Sequence, residues 1–194
     1  MLITALSIPG AWRVDNTVHG DDRGEFVEWF KAPALEEATG YSFALAQANL
    51  SRSSRGTVRG VHFADIPPGQ AKYVTCVQGA IIDYMVDIRV GSPTFGQWDS
   101  VEVTADSRNA VFLEEGLGHA FCALEDDTTV AYLVTDEYRP DREHGINPRD
   151  ESLGLSFPFP DSELSLSPKD TSAPSLTDAQ AAGLLPAWSA RESR

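Results

Sequence analysis

Three basic side chains fall within the stretch RGVHFADIPPGQAK: Arg59, His62 and Lys72. An imidazole titrates near neutrality without much perturbation, so His62 is suited to act as a general base. Lys72 follows Pro67-Pro68-Gly69 and heads the run Tyr73-Val74-Thr75-Cys76-Val77. His119 stands in Gly116-Leu117-Gly118-His119-Ala120-Phe121, a Gly-rich turn entering an apolar strand. Tyr132 and Tyr138, in AYLVTDEY, are candidate acids or stacking partners. Each also has a plainer explanation. The basic group could be surface charge on a hairpin, His119 a hydrogen-bonded core residue, and Tyr132 ordinary packing.

Residue types and spacing narrow the chemistry. A histidine metal site of the cupin kind uses two His at one-residue spacing, a nearby carboxylate and a later third His. Here Gly60-Val61-His62-Phe63-Ala64 offers one, and the nearby Lys72 amine would repel a divalent cation. No G-x-S-x-G, G-x-x-x-x-G-K-[ST] or G-x-G-x-x-G pattern occurs. What remains is acid–base chemistry: an imidazole base oriented by a carboxylate, an acid elsewhere, and a cation for the oxyanion.

The chemistry must sit in a single domain, since 194 residues is close to one domain's length. With 15 Lys and Arg against 29 Asp and Glu, the net charge is −14. Such a chain repels nucleic acids and anionic membranes, so an anionic ligand must be met by a few local cations. Two cysteines, Cys76 and Cys122, both in apolar runs, read as buried thiols rather than a disulfide framework. The opening MLITALSIPGAWRVD has no basic leader, and no apolar run reaches membrane-spanning length, so a cytoplasmic protein is expected.

Strands dominate from Tyr73 to Val134: Tyr73 to Val77, Ala80 to Val90, Trp98 to Val103, Ala110 to Leu113 and Thr128 to Val134. Their Gly, Pro, Asp and Ser punctuation predicts an all-β antiparallel sandwich or barrel with a ligand in its mouth. Pro33 to Thr39, stopped by Gly40, reads as a short helix. Thr177 with Gln180 and Gly183 reads as a second helix with a capping box. Both are expected to cover sheet edges or the barrel base. The Pro-, Ser- and Asp-rich segment Asn147 to Pro174 should wrap the sheet as an irregular arm, long enough to suggest function. The expected layout is N-terminal strands and helix over about 1–50, a barrel core over about 51–146, and a C-terminal arm and helix over about 147–194.

Several motifs recur together in one family: Asp22-Arg23-Gly24, Gln47-Ala48-Asn49, Arg59-Gly60-Val61-His62-Phe63, Gln70-Ala71-Lys72, Gly91-Ser92-Pro93-Thr94-Phe95-Gly96 and Gly116 to Phe121. With Ile8 to Trp12, Lys169-Asp170 and Gly183 to Pro186, the chain resembles the dTDP-4-dehydrorhamnose 3,5-epimerases over nearly its whole length. The resemblance implies a homodimeric cupin-like jelly roll that acts on a dTDP-sugar, with no metal and no redox cofactor. It also implies roles. His62 is the base, paired with Asp170; Tyr132 is the proton donor; Lys72 holds the C4 oxygen, with His119 close by. Arg59 and Lys169 match diphosphate contacts, Gln47 and Asn49 line the sugar and phosphate pocket, and Tyr138 matches the thymine-stacking position. Arg23, Phe26 and Glu28 match residues donated by the partner subunit, and Glu143 matches a further ligand contact.

The chemistry of a 4-keto sugar suits these roles. Carbon–hydrogen bonds beside the ketone are acidified because removal gives an enolate, and inversion needs base and acid on opposite faces. Alternatives at this point are an epimerase inverting C3 or C5 alone and a silent sugar-nucleotide-binding barrel. Retention of His62, Asp170, Lys72 and Tyr132 together favours catalysis over the latter.

Overall fold

A computed structural model describes residues 1–189; the end of the arm expected over 147–194, residues 190–194, lies outside the described residues. Thirteen strands follow in chain order: β1 (Leu2–Ala5), β2 (Ala11–Asp15), β3 (Val18–Asp21), β4 (Gly24–Val27), β5 (Gln47–Ser53), β6 (Val58–Ala64), β7 (Lys72–Gln78), β8 (Ala80–Asp87), β9 (Trp98–Thr104), β10 (Ala110–Leu113), β11 (Leu117–Ala123), β12 (Thr128–Val134) and β13 (Glu143–Gly145). Three short helices accompany them: α1 (Ala32–Thr39), α2 (Pro168–Thr171) and α3 (Leu176–Ala181). A six-stranded sheet runs β1-β2-β10-β7-β12-β5, a five-stranded sheet runs β13-β6-β11-β8-β9, and β3-β4 form a separate hairpin. All pairings within these sheets are antiparallel, the arrangement of a jelly roll.

Alternation along the strands sorts side chains into three apolar layers. Between the sheets lie Val74, Cys76, Val111, Leu113 and Val130 from one, and Ile81, Met85, Val101, Val103 and Phe121 from the other. The outer face of the five-stranded sheet, with Val58, Val61, Phe63, Tyr84 and Cys122, is covered by the arm and by α3 through Leu153, Phe157, Phe159 and Leu176. The outer face of the six-stranded sheet, with Tyr73, Ala110, Phe112 and Leu133, is covered by Leu35 of α1 and by Phe43. The helices therefore cover sheet faces, not the edges or base expected from sequence. Their single buried stripes need a broad apolar surface, which only a face supplies.

Local chemistry fixes the ends of these elements. Pro33 sits in the first turn of α1, and Gly40, at φ +71°, closes it by donating its N–H to the Glu36 carbonyl at 2.8 Å. The second expected cap shifts by two residues. Ser175, not Thr177, caps α3, accepting from the Asp178 N–H at 3.1 Å and donating to its carboxylate at 2.6 Å. Strand β8 stops at Asp87, short of the expected Val90. There the carboxylate accepts from Arg89 Nε at 2.8 Å, Arg89 guanidinium at 2.7 Å, Ser92 Oγ at 2.5 Å and Thr94 Oγ1 at 2.6 Å. The Gly91 to Gly96 motif thus serves a wholly buried carboxylate away from the cavity described below.

Asp87 is fully buried, and the Arg89 backbone N–H adds a further donor at 3.1 Å. Asp87→Ala should leave Arg89 without its counter-ion and cost about 3–5 kcal/mol in urea denaturation; a loss below 1 kcal/mol would show that the turn is held by other contacts.

Candidate active site

A cavity of about 650 Å³ opens between the two sheets, within the range of small-ligand sites. From the six-stranded sheet come Gln47, Asn49 and Ser51 of β5, Lys72 of β7 and Tyr132 of β12. Register explains why they share a face. Tyr132 is opposite Asn49 and Val74, while Val134 is opposite Gln47 and Lys72. From the five-stranded sheet come Arg59 and His62 of β6, His119 of β11 and Glu143 of β13. His62 and Tyr132 therefore stand on opposite walls.

Residues three apart on a regular strand face opposite ways, yet Arg59 and His62 both line the cavity. A β-bulge resolves this: His119 pairs with His62, but Phe121 pairs with Arg59, so two steps on β11 match three on β6. Gly60 occupies the extra position at φ +128°. A Cβ there would lie 2.5 Å from both Ala120 Cα and the His119 carbonyl oxygen, so only glycine fits.

Each cavity histidine has its own carboxylate. His62 Nε2 meets Asp170 Oδ1 at 2.6 Å, which leaves Nδ1 as the ring nitrogen available to a ligand. Asp170 comes from α2, where Ser167 Oγ accepts from the Asp170 N–H at 3.1 Å and Pro168 occupies the first turn. Pro168 therefore helps set the helix that presents Asp170, and its neighbour Lys169 also lines the cavity. Burial works to raise the Asp170 carboxyl, but hydrogen bonds from His62 and Ser167 outweigh it and hold the group below its ordinary value. Across β11, His119 Nε2 lies 2.8 and 3.0 Å from the two oxygens of Asp83, a residue with no solvent exposure.

Lys72 is the electrostatic centre. It is 8% exposed and lines the cavity, yet among the described residues its ammonium makes no hydrogen bond or ion pair. Burial pushes its pKa down, opposed by the charges of Glu143 and Asp83. A buried ammonium with no bonded partner is costly alone and invites an anionic ligand. Burial likewise raises the Tyr132 hydroxyl, with Arg59 opposing and Glu143 reinforcing, so the phenol keeps its proton.

The remaining expected residues divide. Arg59 donates to Ser53 Oγ at 3.2 Å and to the Arg52 carbonyl at 3.3 Å. Gln47 donates to Asn49 at 2.6 Å and accepts from the Tyr138 N–H at 3.1 Å. Tyr138 lies at the mouth with an exposed ring, and Gln70 donates to Glu143 at 3.4 Å. Arg23, Phe26 and Glu28 do not line this cavity. Arg23 and Phe26 are exposed on the β3-β4 hairpin and Glu28 follows it; Arg23 pairs with Asp21, and Glu28 with Lys31.

Two cavity features escaped sequence reasoning. Asp83 looked like a spaced acid in AIIDYMVDIRV, although alternation with Ile81 and Met85 marks it as inward-facing. Ser51 continues the Gln47–Asn49 face, and its buried Oγ has no hydrogen-bond partner among the described residues. Among the described residues, no cluster of three or more His, Cys, Asp or Glu side chains is arranged to hold a metal ion.

Comparison with known proteins gives this geometry a family. The model of the dTDP-4-dehydrorhamnose 3,5-epimerases matches residues 5–178. A Mycolicibacterium smegmatis dTDP-4-dehydrorhamnose 3,5-epimerase is 53% identical over 97% of this chain and 92% of its own. The structure of an epimerase from Mycobacterium tuberculosis superposes with a TM-score of 0.94 at 48% identity, covering 97% of this chain and 94% of that one. A 3'-monoepimerase from Streptomyces bikiniensis, solved in complex with dTDP-quinovose, gives 0.91 at 48% identity, covering 95% and 92%. The chain belongs to the dTDP-4-dehydrorhamnose 3,5-epimerase family.

Proposed function

We propose that this protein epimerises dTDP-4-dehydro-6-deoxy-D-glucose at C3 and C5, giving dTDP-4-dehydro-L-rhamnose. The observation that carries the reading is the buried, unbonded Lys72 ammonium in a cavity with His62 on one wall and Tyr132 on the other. His62 Nδ1 takes the proton from the carbon beside the ketone, and the C–H electron pair moves to the C4 oxygen as an enolate. Asp170 stabilises the imidazolium so formed. Lys72 meets the oxygen's charge, an interaction that grows toward the transition state and so lowers the barrier. Tyr132 then delivers its proton to the opposite face of the same carbon. Both stereocentres flank one carbonyl, so one lysine serves both.

The diphosphate is assigned to Arg59 and Lys169, the sugar and phosphate pocket to Gln47 and Asn49, thymine stacking to Tyr138, and a further ligand contact to Glu143. Binding remote from the reacting carbon positions the sugar. Arg23, Phe26 and Glu28 are proposed to reach the site of a second copy in a homodimer, a role supported by the exposure of Phe26 at the hairpin. A cytoplasmic setting accords with the free thiols Cys76 and Cys122. No helix among the described residues is long and apolar enough to cross a membrane.

A second reading, inversion at C3 alone, is favoured by the likeness to the Streptomyces bikiniensis 3'-monoepimerase. Incubation with the 4-keto substrate in D2O separates the two by NMR. Deuterium with inversion at both C3 and C5 is expected. Label at C3 only would replace the first reading with the second, and no label at either centre would refute both.

Two variants test the assignment of acid and base. His62→Ala should lower turnover about 10²–10⁴-fold while dTDP binding, read by calorimetry, stays within a few-fold; wild-type turnover would remove His62 as base. Tyr132→Phe should still exchange the base-side proton but lose inversion, and equal epimerisation by that variant would move the acid role elsewhere.

A further inference from the structure

Asp83 is a fully buried carboxylate that the roles above leave unused. It projects from β8 toward the space between the sheets, and both its oxygens face His119 Nε2, at 2.8 and 3.0 Å. Two close carboxylate oxygens on one ring nitrogen fix that nitrogen as the one bearing hydrogen, which leaves Nδ1 free of protein hydrogen bonds among the described residues. Phe121 pairs with Asp83 and Met85 pairs with His119, so the dyad is a diagonal contact inside the regular β8-β11 ladder. The regular ladder and deeper burial, with the His119 side chain 11% exposed, distinguish it from the His62–Asp170 dyad, whose acid comes from the arm and whose His62 side chain is 33% exposed.

Lys72 lines the same cavity as His119 and, among the described residues, has no bonded counter-ion. The charged and titratable groups around that cavity are Glu143 on β13, His62 and Arg59 on β6, His119 on β11, Tyr132 on β12, Tyr138 at the mouth, and Asp170 and Lys169 on α2; Asp83 stands behind His119 on β8. Of the acids, Asp170 is committed to His62, and Glu143 sits on an edge strand. Of these three acids around the cavity, Asp83 is the one held in the interior of a sheet.

We infer that Asp83 is a positioning residue for the oxyanion-binding group. It locks His119 with Nδ1 open to the sugar, in the same cavity that Lys72 lines. The inference rests on the epimerase reading and adds a residue to it. Asp83 touches neither substrate nor reacting carbon, so its effect passes through His119 and Lys72.

The test compares wild type with Asp83→Asn, which keeps shape and removes charge, over a full pH range. The variant should lose kcat on the order of 10- to 100-fold, as for other carboxylates behind a working histidine, with KM changed by less than about threefold, as expected when a transition-state contact is lost. Removing the anion makes the Lys72 proton easier to lose, so the alkaline limb of kcat should move to lower pH. A purely structural role would lower activity without moving that limb, and a profile superposing on wild type, or a fall in height alone, overturns the proposal. Should Asp83→Asn fail to fold, 15N NMR of histidine-labelled wild type decides. Hydrogen on His119 Nε2 supports the proposal, and a neutral ring protonated only at Nδ1 contradicts it. A wild-type chain inert toward the 4-keto substrate would instead remove the epimerase reading on which this rests.

Discussion

An ammonium taken out of water is stabilised only if an anion meets it, and among the described residues Lys72 has no bonded anion. Glu143 and Asp83 offset burial without contacting it. The site is therefore built to be completed by charge arriving with, or developing on, a ligand. An oxygen that is neutral in the ketone and anionic in the enolate matches this need, because the interaction strengthens as the proton leaves carbon. The rest of the structure can be understood as holding a base and an acid at the right places around that group.

Two sheets facing each other supply the separation. A base and an acid on one strand would address the same face of a sugar, whereas His62 on β6 and Tyr132 on β12 stand on opposing walls of the cavity. The acidic exterior and cationic interior are also consistent with one another. A net charge of −14 leaves Arg59, Lys72 and Lys169 as the local attraction for an anionic ligand. Much of the remaining sequence is structural support: the arm and α3 seal the outer face of one sheet, α1 and Phe43 seal the other, and the Ser92–Thr94 turn satisfies Asp87.

The legibility of this arrangement in sequence was uneven, for physical reasons. Runs such as Tyr73 to Val77 and Thr128 to Val134 predict their strands, because β-branched and aromatic residues fit a pleated, buried surface. The spacing of Arg59 and His62 misleads, since a bulge at Gly60 reverses the facing of side chains and leaves no mark except a glycine. Asp170 lies 108 residues from His62, so local pattern alone could not join them; the family resemblance did. Asp83 read only as a spaced acid in its strand and not as a partner of His119, because a diagonal contact depends on the β8-β11 register. The α3 cap moved to Ser175 because two serine or threonine residues compete there, and only Ser175 reaches the Asp178 amide. The residues Arg23, Phe26 and Glu28 are legible only as resemblance, since none of them lines the cavity between the sheets of their own chain.

The central claim is that Lys72 stabilises charge on the ketone oxygen, and its most direct measurement is solvent exchange in Lys72→Met. That change keeps the alkyl chain and removes the ammonium. The account predicts that deuterium entry beside the ketone slows by about 10²–10³-fold, the cost of losing one oxyanion donor, while dTDP affinity stays within a few-fold. Exchange at the wild-type rate in a folded Lys72→Met chain would contradict it.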